Sequence, residues 1–118
     1  MTKDQRIFLR DILERIERIE ETAAEGRDIF RRSHMHQDSI IRNFEVIGEI
    51  VKRLSVEVTS QYPDVLWADF AGFRDVLIHQ YDKVILDIVW ESVKTDLPSL
   101  RAAVESLLAS LPPDSDKA

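Results

Sequence analysis

Arg74, His79 and Tyr81 are the residues whose types and spacing could handle a phosphodiester. They lie within the eight-residue stretch Arg74-Asp75-Val76-Leu77-Ile78-His79-Gln80-Tyr81, separated mostly by apolar side chains. RNA carries its own nucleophile, the 2′-OH beside each phosphate. Its cleavage needs a base for that proton, an acid for the departing 5′-oxygen and positive charge on the phosphorane. Histidine suits the proton transfers because its pKa lies near neutrality. Arginine suits the phosphate because its planar fork gives two parallel charged hydrogen bonds. The scheme requires no metal and no cofactor. The competing structural reading pairs Arg74 with a surface carboxylate and uses His79 and Tyr81 to cap a bundle.

Helical geometry constrains the first reading. At about 100° per residue, positions 74 and 79 point about 140° apart, and positions 79 and 81 also diverge. One unbroken helix therefore cannot focus all three. Either the helix ends near His79, or the site combines two subunits across a symmetry axis.

The elements that must position these residues read as helices. Leu9, Ile12, Leu13, Ile16, Ile19 and Ala23 form an amphipathic stripe over about residues 2–24, which Gly26 ends. Asp28 to Arg32 reads as a short helical turn, and His34-Met35-His36-Gln37 as a connector. Asp38 or Ser39 can cap a second long helix whose stripe is Ile40, Ile41, Phe44, Ile47, Val51, Leu54 and Val58, stopped by Tyr62-Pro63. Gly48 lies inside that helix, where a glycine costs about 1 kcal/mol relative to alanine, so a close helix–helix approach is expected there. A shorter helix from about Val65 carries the motif. A last one begins between Asp82 and Ile85 and runs to about Leu111, with Pro98 kinking or restarting it and Thr95 or Asp96 as a cap. Val84, Ile85, Leu86, Ile88, Val89, Trp90 and Val93 point nearly all round this helix, which suggests a core face plus a subunit interface. No window alternates with period two. The reading is all-α: an antiparallel bundle of four to five helices in one domain over residues 1–111, with a polar tail over 112–118.

Bulk properties narrow the function classes. A chain of 118 residues can fold around its own core without disulfide or metal. It has no cysteine, which excludes thiolate metal sites and a cysteine nucleophile and fits a reducing cytoplasm. No signal peptide or membrane span is legible, so a cytoplasmic protein is expected. A net charge of −6 argues against broad nucleic-acid binding but not against a small catalytic contact with RNA. The basic clusters Arg27, Arg31 and Arg32, then Arg42, then Lys52 and Arg53, read most simply as solvated helix faces. His34 and His36 read as exposed loop residues rather than metal ligands. Trp67 and Trp90 read as core rather than base-stacking residues, and a solvated face accounts for Glu45 and Glu49.

Arg74-x-x-x-x-His79-x-Tyr81 resembles the signature of the HEPN superfamily, specifically the HepT-like ribonuclease toxins. Ile41-Arg42-Asn43-Phe44-Glu45-Val46-Ile47-Gly48-Glu49, Val51-Lys52-Arg53-Leu54, Tyr62-Pro63-Asp64 through Trp67, Ala71-Gly72-Phe73 before the motif, Ile88-Val89-Trp90 and Asp96-Leu97-Pro98 also resemble family segments. The resemblance spans about residues 4–100. It implies an all-helical homodimer acting as a metal-independent RNA endonuclease, with two motifs facing a cleft at the dimer interface. By position, Arg74 and His79 are then catalytic, Asp75 supports them and Asn43 lines the cleft. Tyr81 matches the tyrosine to which a minimal nucleotidyltransferase antitoxin attaches AMP, as in type VII-like toxin–antitoxin pairs. The implied partners are RNA, with tRNA and mRNA as candidate classes, the antitoxin and a second copy; no DNA, membrane or cofactor is expected. Ile85 departs from the polar cap common in the family, which moves the expected cap to Asp82. The alternatives are a catalytically silent dimer serving a nucleotidyltransferase and, more distantly, a nucleotide-binding protein.

Overall fold

The computed structural model describes residues 3–79 and 83–110, with side chains over 5–77 and 86–110. The described residues form six helices and no strand: α1 (Lys3–Ala23), α2 (Arg27–Arg32), α3 (His34–Val51), α4 (Val56–Thr59), α5 (Trp67–His79) and α6 (Lys83–Ser110). The expected all-α architecture is found, as four long helices and two short ones.

The α1 stripe behaves as its spacing requires, with Leu9, Ile12, Ile16 and Ile19 fully buried. Each such side chain contributes about 1.5–3 kcal/mol relative to exposure. Gly26 follows α1 with φ 99°, a left-handed value that favours glycine. The central element is α3, which packs most extensively against α5 and α1, while α6 lies along α1. Ile40, Ile41, Phe44 and Ile47 of α3 are all buried, and Phe44 meets Phe73 of α5 edge-on at 5.4 Å.

Several boundaries differ from the sequence reading. Residues 34–37 are no connector: α3 begins at His34, and Ser33 rather than Asp38 or Ser39 is its cap, accepting from the His36 N–H at 3.2 Å. Gln37 donates to the Phe30 and Arg31 carbonyls at 3.0 and 3.1 Å, which satisfies the end of α2. The second long helix stops at Val51 rather than reaching Tyr62. Ser55 then caps the separate α4, its hydroxyl accepting from the Val58 N–H at 3.3 Å. Val58 stays buried, so the hydrophobic stripe survives the break. Gln5 fixes this turn, accepting from the Ser55 N–H at 2.8 Å and donating to the Arg53 carbonyl at 3.2 Å.

Pro98 does not restart α6, which is assigned as continuous through it. Thr95 is not a cap, because its hydroxyl donates back to the Glu91 carbonyl at 2.8 Å within the helix. The position preceding α6 is residue 82, so the expected Asp82 cap and Tyr81 lie outside the described residues, as does the tail over 112–118. No described helix is long and apolar enough to cross a membrane.

Arg101 ties α6 to α1. It hydrogen-bonds Glu20, reaches Glu17 at 3.5 Å and pairs with Glu105 on its own helix at 3.1 Å. Partial desolvation acts to lower its pKa. The Glu105 hydrogen bond and the Coulombic pull of Glu20, Glu105 and Glu17 outweigh that and raise it above the ordinary arginine value.

Candidate functional site

Arg74 sits in the middle of α5, on the side turned to α3, because the α3 backbone is stripped to glycine opposite it. A Cβ built on Gly48 would lie 2.7 Å from the Arg74 Cβ and 2.7 Å from the Phe70 carbonyl oxygen. The close approach expected from a mid-helix glycine is thus present, and it brings the root of the arginine against α3. The guanidinium then reaches Glu49 of α3 at 3.3 Å and Asp75 at 3.2 Å. Asp75 also faces Lys52 at 3.6 Å. Arg74 therefore has the carboxylate partners of the structural reading, yet its side chain keeps 28% of its surface exposed and lines a cleft.

That cleft has a volume of about 440 Å³ and is lined by Arg15, Arg42, Glu45, Val46, Glu49, Ile50, Arg53 and Arg74. Four guanidinium groups face two carboxylates, a local excess of two positive charges on a chain whose net charge is −6. Glu45 pairs with Arg42 at 3.5 Å and Glu49 with Arg74, so the two glutamates orient arginines rather than decorate a solvated face.

Asn43 supports this cleft from beneath. It is 5% exposed, its amide donates to the Ser39 carbonyl at 2.8 Å, and its oxygen accepts from Arg15 at 3.2 Å. Arg15 is the residue sequence reasoning missed. The only signal was its place beside the buried Ile12–Ile16–Ile19 stripe, and a basic residue flanking an apolar stripe is ordinary. Its pairing across 28 residues with Asn43 exists only in the folded chain.

His79 is the last residue of α5. It stays within the helix, so its position is about 140° around the axis from that of Arg74 and about 7.5 Å along it. Its side chain and all of Tyr81 lie outside what is described. The structure therefore brings Arg74, Asp75 and Asn43 to one region of the α1–α3–α5 surface.

A second concavity of about 400 Å³ runs between α5 and α6, lined mainly by apolar groups including Leu66, Phe70, Phe73 and Val76, with Asp69, Ser92 and Asp96. Leu66 and Val76 are 56% and 38% exposed, and Ile88 of α6 is 45% exposed.

Among the other candidates, His36 is partly buried within α3 and contacts Ser33 Oγ at 2.6 Å and Glu25 at 2.8 Å, a local clasp rather than an exposed loop. No group of three or more His, Cys, Asp or Glu among the described residues could hold a metal ion. Trp67 is buried and donates to the Tyr62 carbonyl at 3.1 Å, and Trp90 packs on Phe30 at 5.4 Å, as expected of structural residues. Arg27 and Arg31 reach Asp87 of α6 at 3.7 and 2.7 Å, which ties α2 to the start of that helix.

Comparison with known proteins is consistent in kind. The family model described as "Ribonuclease HepT-like" matches residues 12–107. A Methanocaldococcus jannaschii protein named "Gamma-glutamylcyclotransferase and putative RNase" is 42% identical over 112 residues, covering 94% of this chain and 50% of its own length. The chain thus spans half of that relative. A Thermococcus cleftensis protein named "Probable ribonuclease HepT" is 36% identical over 108 residues, 91% of this chain and 98% of the relative. A second M. jannaschii protein, named "Putative RNase", is 36% identical over 110 residues, 92% of this chain and 91% of the relative. No solved structure gives a significant match.

Proposed function

The chain belongs to the HepT-like ribonuclease family, and from that premise we propose that it is a metal-independent RNA endonuclease acting through Arg74 and His79. The observation that carries this reading is the cleft at Arg74, where positive charge is concentrated on an otherwise acidic chain. In the reaction, the 2′-oxygen forms a bond to phosphorus while the bond from phosphorus to the 5′-oxygen breaks. A base takes the 2′-OH proton and an acid returns one to the leaving oxygen, giving a 2′,3′-cyclic phosphate and a free 5′-OH. His79 supplies proton transfer. Arg74 stabilises the dianionic phosphorane, and Asp75 and Glu49 hold its fork in place.

The working form is a homodimer. The exposed apolar groove between α5 and α6 supports this, since a monomer gains nothing by leaving such a surface open. Two copies of the motif across one axis supply two histidines, one for each proton transfer.

The protein acts as the toxin of a type VII-like pair, and a nucleotidyltransferase antitoxin neutralises it at Tyr81. In that step the tyrosine oxygen bonds the α-phosphorus of ATP, pyrophosphate leaves, and the phenol proton passes to solvent. The adduct places a negative phosphodiester two residues from His79, where substrate phosphate must approach.

The test is purified, unmodified protein incubated with RNA in excess EDTA, beside His79→Ala. Cleavage by the wild type alone is expected. Equal persistence of RNA with both proteins overturns the ribonuclease reading, and loss of all cleavage on chelation overturns the metal-free mechanism. Light scattering should give a dimer mass. Intact mass should rise by whole AMP units with ATP and the antitoxin, and Tyr81→Phe should abolish that rise.

A further inference from the structure

Two of the four arginines in the cleft differ from the other two. Arg42 and Arg74 each have a glutamate within 3.5 Å. Arg15 has instead a neutral amide, Asn43 at 3.2 Å, and Arg53 is in no ion pair among the described residues. The choice of an amide matters. The amide oxygen accepts from Arg15 without cancelling its charge, while the amide NH2 donates to the Ser39 carbonyl, which a carboxylate could not do. Asn43 is itself immobilised, 5% exposed and tied to the Ser39 carbonyl at 2.8 Å, so Arg15 is held by a fixed partner. Arg53 follows the end of α3, in a turn whose carbonyl is held by the buried Gln5. The cleft also extends about 12 Å along α3 from Arg42 to Ile50, farther than one phosphate group needs.

We propose that Arg15, Arg42 and Arg53 form a second phosphate subsite beside Arg74, which holds the RNA backbone at a phosphate flanking the scissile one. This rests on the ribonuclease reading for its substrate, but not for its geometry. Arg15 and Arg53 supply the uncompensated charge. Arg42, whose side chain is 73% exposed, guards the rim and exchanges Glu45 for phosphate when the strand binds. The subsite reads backbone rather than base, so it adds affinity without sequence preference.

The probe is a fluorescein-labelled single-stranded octaribonucleotide, fully 2′-O-methylated so that it cannot be cleaved. Its binding to the intact protein is followed by anisotropy across a salt series. Arg15→Gln and Arg42→Gln are each expected to weaken binding roughly tenfold, as for loss of one charge-assisted hydrogen bond. Each should flatten the plot of log affinity against log salt by about 0.7 for every phosphate that is no longer neutralised. With cleavable RNA the same variants should raise KM and leave kcat nearly unchanged, whereas Arg74→Gln should collapse kcat. Arg42 and Arg53 are exposed enough that their variants fold, and Arg53→Gln, which removes the other uncompensated charge, should reproduce the weakened binding.

If the wild type cleaves RNA while Arg15→Gln and Arg42→Gln bind the probe with unchanged affinity and slope, the subsite is wrong and the ribonuclease reading stands. If the variants lose affinity and slope but the wild type cuts nothing, the subsite stands as a nucleic-acid backbone site and the ribonuclease reading falls. A wild type that does not bind the probe overturns the subsite.

Discussion

Gly48→Ala tests the link between packing and the site most directly. In an ordinary helix interior this substitution stabilises by about 1 kcal/mol, because alanine is the better helix former. Here the added methyl would sit 2.7 Å from both the Phe70 carbonyl oxygen and the Arg74 Cβ, where ordinary contact begins near 3.4 Å. Both obstructing atoms are fixed to the α5 backbone, so neither can rotate away, and α5 must retreat by roughly 0.7 Å. Overpacking of this kind costs about 1–3 kcal/mol. Set against the propensity gain, the net loss is about 1 kcal/mol, read from urea unfolding followed by circular dichroism.

The functional effect should be the larger one. The retreat carries Arg74 away from Glu49 and from the cleft, and a misplacement near 1 Å at a reacting centre can cost about 10²-fold in rate. Gly48→Ala should therefore lower the cleavage rate by roughly one to two orders of magnitude while the protein remains folded. Gly72→Ala is the matched control for stability, since nothing lies within 4 Å of its built Cβ, and it should gain about 0.5–1 kcal/mol. A Gly48→Ala protein that gains the full propensity increment and cleaves at the wild-type rate would refute the close-approach argument.

Removing the cap in Ser33→Ala should cost about 1 kcal/mol in urea unfolding, because the His36 N–H loses its acceptor at the start of α3. Asn43→Ala should cost about 1–3 kcal/mol by the same measurement, since it removes a buried amide that serves both Ser39 and Arg15. Arg101→Ala should lose no more than about 1 kcal/mol, and less at high salt, because its three carboxylate partners are substantially exposed. The Arg101 pKa is raised on folding, so its contribution is fully present below the unfolded arginine value and fades only above it. A stability–pH profile should accordingly show no transition from Arg101 between neutrality and moderately alkaline solution.

The elements most legible in the sequence were those written as long stripes. The α1 stripe and the Ile40–Val51 stripe predicted burial correctly because a helix spaces its buried positions regularly. Gly48 was legible for a different reason: a costly residue in a helix interior implies a compensating close approach, and that approach is to α5. The boundaries failed where short polar residues competed. Ser33, Asp38 and Ser39 are all acceptable caps, and the choice of Ser33 depends on where α2 ends and on Gln37 reaching back to it. Glu45 and Glu49 looked solvated because each carries a charge on a helix. The Arg42 partner of Glu45 lies three residues back on the same helix, whereas Arg74, the partner of Glu49, declares itself only when α3 and α5 are packed. Arg15 could not be assigned at all, since its role depends on an amide 28 positions away.

The placement of His79 sharpens the dimer proposal. Positions 72, 76 and 79 of α5 recur at four- and three-residue steps and fall within about 60° of one another around the axis. Gly72 and Val76 line the apolar groove between α5 and α6. Arg74, on the opposite side of the helix, lies against Gly48 and the charged cleft. One helix thus divides its motif, with Arg74, the proposed phosphate-binding cation, toward the α1–α3 side and position 79, proposed for proton transfer, on the face that the apolar groove shares. A second copy seated on that groove would lie against the His79 face in both chains, and the alignment comes from helical spacing rather than from charge. Val76→Glu, which puts a carboxylate into that apolar surface, should therefore convert the dimer to a monomer in light scattering. It should abolish RNA cleavage while far-UV circular dichroism stays helical. A monomeric Val76→Glu protein that still cleaves RNA at the wild-type rate would show that one chain is sufficient, and that His79 must reach its substrate by another route.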